Sequence, residues 1–365
     1  MANPAMFTWL DRARVALDLS RFALTEPIDA VAGAGVYSTI ETHTAGMPTR
    51  IVTHGVGVLP GATMLERMQY LQHSDDDVRR LLMYEPRGHS AMCGAIIQPP
   101  LQPDTDVGLL FICAGGHLPM CGHAAIGVST ALVASGAIAR TGPITTVRLD
   151  TPAGVIGGEV ELAGGKVSSV TIRNMVARSV ALDVPIDLPR GSIQCDLAAA
   201  GSLYAIVSVD AVGAVLSVDG LPKLIVIGRE IMEVLDRDSR VSGAEADHAL
   251  PRCEHVVFYE GSIAGREHHS VTVHKGFVDR SPCGTGTSAY MATMHARGAL
   301  KPDQKMANRT LNGSKFSGQI TEVRENREQS EIICALTGSA WITGFATYVL
   351  DPDDPFSNGF SWGPS

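Results

Sequence analysis

The strongest constraint on this chain is an internal repeat built around two cysteines. From Cys121 the sequence reads CGHAAIGVSTALVASGAI, and from Cys283 it reads CGTGTSAYMATMHARGAL. Gly122 aligns with Gly284, Ala134 with Ala296, Gly136 with Gly298, Ala137 with Ala299 and Ile138 with Leu300. A second match lies upstream in the same order, ETHTAGMPTRIV from Glu41 and DLAAAGSLYAIV from Asp196. It pairs Glu41 with Asp196, Ala45-Gly46 with Ala200-Gly201 and Ile51-Val52 with Ile206-Val207. Two matches in one order favour a duplicated unit over chance.

Each cysteine follows a Pro-containing turn and precedes about 14 residues rich in small and helix-forming side chains, closed by Gly136 or Gly298, which are helix start and stop signals. Apolar β-branched runs at Val107–Ile112, Val167–Ile172, Ala205–Val207, His255–Phe258 and Ser270–Val273 read as strands. Strands interspersed with few helices give an α/β or α+β class. At 365 residues the chain is long enough for two domains, and two similar units facing one another make a cleft.

A thiol at a helix N-terminus meets the positive end of the macrodipole, which is expected to lower its pKa from ~8.5 toward neutrality. The free N–H groups that follow it, on Gly122, His123, Gly284 and Thr285, suit a carboxylate. One thiolate can remove a Cα proton while a thiol on the opposite face returns one. The remaining cysteines, Cys113, Cys195, Cys253 and Cys334, read as small buried hydrophobes.

Other chemistries fit less well. Cys113, His117, Cys121 and His123 are zinc-ligand types, but their spacing is not that of a finger or ribbon. Gly284-Thr285-Gly286-Thr287 lacks the Gly-Lys-Ser/Thr ending of a phosphate loop, and no Cys-x-x-Cys is present for disulfide exchange. A formal net charge of -9 argues against nucleic acid and anionic lipid as partners. No apolar run approaches the ~18 residues of a spanning helix. Seven cysteines without disulfide-scaffold density suggest a reducing, cytoplasmic compartment.

Met120-Cys121-Gly122-His123 and Asp279-Arg280-Ser281-Pro282-Cys283-Gly284-Thr285-Gly286-Thr287 resemble the two signatures of the proline racemase family, which also holds hydroxyproline epimerases and trans-3-hydroxyproline dehydratases. The resemblance runs from about Glu41 to Phe360. It implies two pseudo-symmetric diaminopimelate-epimerase-like domains, each a strand-rich barrel around a central helix, with the active site between them. The expected division is an N-terminal extension over 1–35, read as a surface helix, a first domain over 36–185 plus 345–365, and a second over 186–344.

By the same resemblance Cys121 and Cys283 are the acid–base pair, working without pyridoxal phosphate or metal on a small imino acid. His123 and Asp279 contact the substrate amine, and the amides of Gly122, His123, Gly284 and Thr285 hold its carboxylate. Cys93 and Val273 stand where proline-specific members carry aromatic walls, which implies a roomier pocket. His89, often serine in hydroxyproline epimerases, leans instead toward the proline and dehydratase branches. Dehydratases generally carry threonine at the second cysteine, so Cys283 favours inversion of Cα in proline or 4-hydroxyproline, with dehydration of trans-3-hydroxyproline, which a single thiol can perform, as the alternative. The expected partners are that substrate and, at most, a second copy of the chain in a homodimer.

Overall fold

The computed structural model describes residues 35–238, 252–261, 265–325, 330–351 and 353–361. The N-terminal extension, with its expected surface helix, lies outside the described residues except for Gly35. Sixteen strands (β1–β16) and five α-helices account for most of the rest.

The first unit contains β1 (Gly35–Thr44), β2 (Met47–His54), β3 (Cys93–Gln98), β4 (Val107–Cys113), β5 (Gly116–Leu118), β6 (Ile144–Thr151) and β7 (Gly154–Ala163). Its helices are α1 (Met64–Ser74), α2 (Asp76–Met83) and α3 (Gly122–Ser135). The long β8 (Lys166–Leu188) leads into β9 (Gly191–Ala200), β10 (Ser202–Ser208), α4 (Leu221–Arg237), β11 (Cys253–Glu260) and β12 (Glu267–His274). Then come α5 (Gly284–Ala296), β13 (Lys305–Arg309), β14 (Lys315–Glu325), β15 (Ser330–Gly338) and β16 (Ala340–Leu350).

The duplication is written into the strand pairing. From β16 the order β16-β1-β2-β3-β4-β6-β7-β8 runs antiparallel, antiparallel, parallel, antiparallel, parallel, antiparallel, antiparallel. From β8 the order β8-β9-β10-β11-β12-β13-β14-β15 repeats the same sequence of directions. β15 pairs back onto β8, closing the second set into an eight-stranded barrel. The last strand, β16, returns to pair with β1.

Helices α3 and α5 occupy equivalent places, each in the parallel connection after its cysteine. Both are buried on every side, as expected of a helix with no polar face. One core cluster wraps them, with Ala124, Ile126 and Val128 on α3 and Ala289, Tyr290 and Met291 on α5. A second core lies under α4, including Leu224, Ile227, Ile231, Val271 and Val273. No helix of the described residues is long and apolar enough to cross a membrane.

Candidate active site

The N-termini of α3 and α5 meet head to head. A Cβ built on Gly122 would stand 3.0 Å from Gly284 Cα, and one on Gly284 would stand 2.9 Å from Gly122 Cα. Only glycine at both positions permits this approach, and it brings the two capping cysteines to one cavity. Cys121 caps α3 from extended backbone, at φ −143°. Cys283 caps α5 from φ +59°, a strained conformation for a non-glycine residue that costs of order 1–3 kcal/mol and clusters at functional sites.

The cavity has a volume of about 20 Å³, room for a single water. Cys121, Gly122, His123, Asp279, Cys283, Gly284, Thr285 and Cys93 all line it. Val273 does not. It is 1% exposed and packs in the second core, where its side chain meets Gly228 of α4. Side chains alternate along a strand, so on β12 the neighbours Thr272 and His274 face the site: the Thr272 hydroxyl lies on the Cys283 side and acts to lower that thiol's pKa, and His274 lines the cavity. His89 is exposed and outside this lining.

Several lining residues escaped the sequence reading. Tyr204, His255 and His274 stand side by side on β10, β11 and β12. Tyr204 and His255 rings lie 4.7 Å apart, and the Nδ1 atoms of His255 and His274 are 2.8 Å apart. Tyr204 Oη is 2.6 Å from Thr285 Oγ1, which lies 3.8 Å from Cys283 Sγ. In the other half the equivalent positions are Thr49, three residues after Gly46 as Tyr204 is after Gly201, then Cys93 and Cys113, paired across β3 and β4. The repeat carried the signal for these rows, since Tyr204 aligns with Thr49, but strand register was needed to extend it.

Electrostatics invert one expectation. Burial pushes the Cys121 thiol well above its ordinary value, opposing the Ala124 N–H that lowers it. Burial and the Asp279 charge push Cys283 up to about 12 against the Gly286 N–H, which donates to Sγ at 3.3 Å. The helix amides act in the foreseen direction, yet desolvation outweighs them. Asp279 is itself raised by burial but held below the usual carboxylate range by His274, His123 and Ser281. Its Oδ1 accepts from the Ser281 N–H at 2.7 Å and Oγ at 2.8 Å. Burial keeps His123 neutral-leaning, below its ordinary value, with its ring nitrogen Nδ1 3.4 Å from Cys121 Sγ.

The zinc set considered from sequence does not assemble. Among the described residues the group with metal-binding geometry is His274, Asp279 and Cys283, and His117 instead faces Asp76 at 3.5 Å. Two thiols with raised pKa values, a carboxylate held low and the first-turn amides of two helices around one small cavity can bind a zwitterion and move a proton on either side of it.

Comparison with known proteins agrees with this arrangement. A family model described as proline racemase matches residues 39–361. A 4-hydroxyproline 2-epimerase of Streptosporangium roseum is 45% identical over 328 residues, covering 89% of this chain and 98% of its own. A proline racemase of Clostridioides difficile is 35% identical over 323 residues, covering 88% and 96%. The crystal structure of a hydroxyproline epimerase from Agrobacterium vitis, with bound trans-4-hydroxy-L-proline, superposes with a TM-score of 0.83 at 28% identity, covering 89% and 94%. On the matched signature, the duplicated strand order and the similarity over nearly its whole described length, the chain belongs to the proline racemase family of amino-acid racemases and epimerases.

Proposed function

We propose that this chain inverts Cα of 4-hydroxyproline by exchanging a proton between Cys121 and Cys283, with no cofactor. The observation that carries the reading is the head-to-head meeting of the two thiol-capped helices at Gly122 and Gly284. The amides of Gly122, His123, Gly284 and Thr285 hold the substrate carboxylate, as helix N-termini hold anions, and stabilise charge that spreads onto it as Cα loses its proton. Asp279, ionised and buried, faces the positive imino nitrogen.

The raised thiol pKa values fit the chemistry. A Cα proton is a weak acid, and a thiolate formed in a desolvated site is a stronger base than one softened by the helix alone. With about 20 Å³ between the walls, a five-membered ring enters only as the halves part, and that opening wets the thiols and allows one to ionise. Closure then returns the thiolate to a dry site against the substrate.

The substrate choice rests on the walls. Cys93, Tyr204, His255 and His274 surround the cavity with hydrogen-bonding groups, which suits a ring hydroxyl better than a bare proline ring. The relatives named above, one a 4-hydroxyproline 2-epimerase and one holding trans-4-hydroxy-L-proline, support the same choice. Purified protein in heavy water is expected to place deuterium at Cα of 4-hydroxyproline with epimerisation, far faster than with proline. Equal or greater turnover of proline, or ketone formation from trans-3-hydroxyproline as the main reaction, overturns this reading.

A further inference from the structure

Cys93 and Cys113 stand directly opposite one another on the antiparallel strands β3 and β4. The Ala114 N–H donates to the Met92 carbonyl at 2.9 Å, so the ladder bonds flank this pair and do not join it. A non-hydrogen-bonded pair brings its Cα atoms to roughly 4.5 Å with the side chains close, inside the ~4.4–6.8 Å that a disulfide spans. The two thiols are 1% and 2% exposed and belong to one small buried cluster with Met47 and Ala91.

Their surroundings differ from those of the capping cysteines. The adjacent Cys93 thiol, the backbone of Gly115 and Gly116 and the Arg79 guanidinium hold the Cys113 thiol below its ordinary value against the effect of burial. Cys93 is pushed up, first by that same contact and then by burial. Nearby positive charge and backbone dipoles favour a thiolate, and thiolate character is what makes a cysteine oxidisable. Cys93 lines the catalytic cavity, so a water-sized reagent that enters with cleft opening reaches the pair. Proton exchange at Cα makes no use of Cys113.

We propose that Cys93 and Cys113 are an oxidisable dithiol, which peroxide converts to a disulfide before it attacks Cys121 or Cys283. The Cys113 thiolate attacks one peroxide oxygen, the O–O bond breaks, and hydroxide leaves to be protonated as water. The resulting sulfenic acid is attacked by the Cys93 sulfur, the S–S bond forms, and a second water leaves with the Cys93 proton. Two thiols are oxidised and one peroxide is reduced to two waters.

The sequence supplies a clean readout. Cyanogen bromide cleavage after Met92 and Met120 isolates Cys93–Met120, whose only cysteines are Cys93 and Cys113. Cys121 falls on the fragment ending at Met175, and Cys283, with Cys253, on the one ending at Met291. Full-length protein is treated with one equivalent of hydrogen peroxide, blocked with N-ethylmaleimide in denaturant, cleaved and weighed. The Cys93–Met120 fragment is expected two mass units lighter than its dithiol and unlabelled, reverting with dithiothreitol, while the other two fragments keep one and two labels.

A doubly labelled Cys93–Met120 fragment, or earlier loss of label from the Cys121 or Cys283 fragment, overturns the proposal. In a Cys113→Ser variant, judged folded by circular dichroism, the capping cysteines are expected to lose label at a lower peroxide dose. An unchanged dose in that variant also overturns it. Cys113→Ala serves as the second variant if the serine is not tolerated.

Discussion

Gly122 and Gly284 lie so close that neither tolerates a Cβ without displacing the other's backbone. Gly122→Ala is therefore expected to push α3 and α5 apart by a few tenths of an ångström or more, separating the amides proposed to share one carboxylate. The expected loss in kcat/KM is at least 100-fold, since misplacement of about 1 Å carries that cost. Circular dichroism should show retained secondary structure, and near-wild-type turnover would remove the close approach from the account of catalysis.

The two thiols are expected to act as a unit. Cys121→Ala and Cys283→Ala should each reduce epimerisation by more than about 10³-fold, and the double variant should lose little more, because residues that act together are not additive. Chiral chromatography of single and double variants measures this. Losses that multiply would show two independent contributions.

Turnover by the free protein should rise with pH. Both thiols are pushed up in the empty site, so ionising one becomes easier as pH increases. We expect kcat/KM to gain about tenfold per unit between pH 7 and 9, because kcat/KM reports free-enzyme groups. Asp279 raises Cys283 through its charge, so Asp279→Asn should move that limb to lower pH while also weakening substrate binding. A variant profile that lies on or above the wild-type pH range contradicts this coupling.

Stability should fall on mild acidification. Burial lowers the pKa of His123, His255 and His268 in the folded protein, whereas unfolded histidine titrates near 6.5. Between the folded values and 6.5 the unfolded chain binds more protons, so folding stability drops as pH decreases through that window and is fully present above it. Each such group contributes up to about 1.4 kcal/mol per pH unit. Urea midpoints at pH 7, 6 and 5 measure the slope, and His255→Phe, which keeps a ring against Tyr204, should flatten it.

The hydroxyl of Thr285 depends on Tyr204 for its partner at 2.6 Å. Tyr204→Phe should raise KM several-fold with a smaller effect on kcat, in line with the roughly 1 kcal/mol typical of one hydrogen bond. Steady-state kinetics separates the two constants, and a change confined to kcat would assign Tyr204 a different task.

What the sequence made legible was local or repeated. The helix starts at Cys121 and Cys283, their glycine ends and the strands at Val107 and Ser270 follow from residue type and order alone. Val273 was misplaced because one residue of strand parity separates the cavity from the second core, and parity depends on register with β11. Tyr204, His255 and His274 come from three strands, so their row exists only after pairing. The thiol pKa values reversed because the helix N-terminus can be read from sequence while the dryness around it comes from the closed cleft.

The two cross-strand rows have diverged into unlike chemistry, Thr49 with Cys93 and Cys113 on one side and Tyr204 with His255 and His274 on the other. The two sides of the cavity are consequently unlike, although the strand pairings of the two units repeat one another. Under the proposed function, proton removal by Cys121 and by Cys283 is expected to differ in rate, each direction with its own solvent isotope effect. A pseudo-twofold scaffold has in this way acquired two unlike walls, which suits the proposed 4-hydroxyproline substrate, whose two forms are diastereomers.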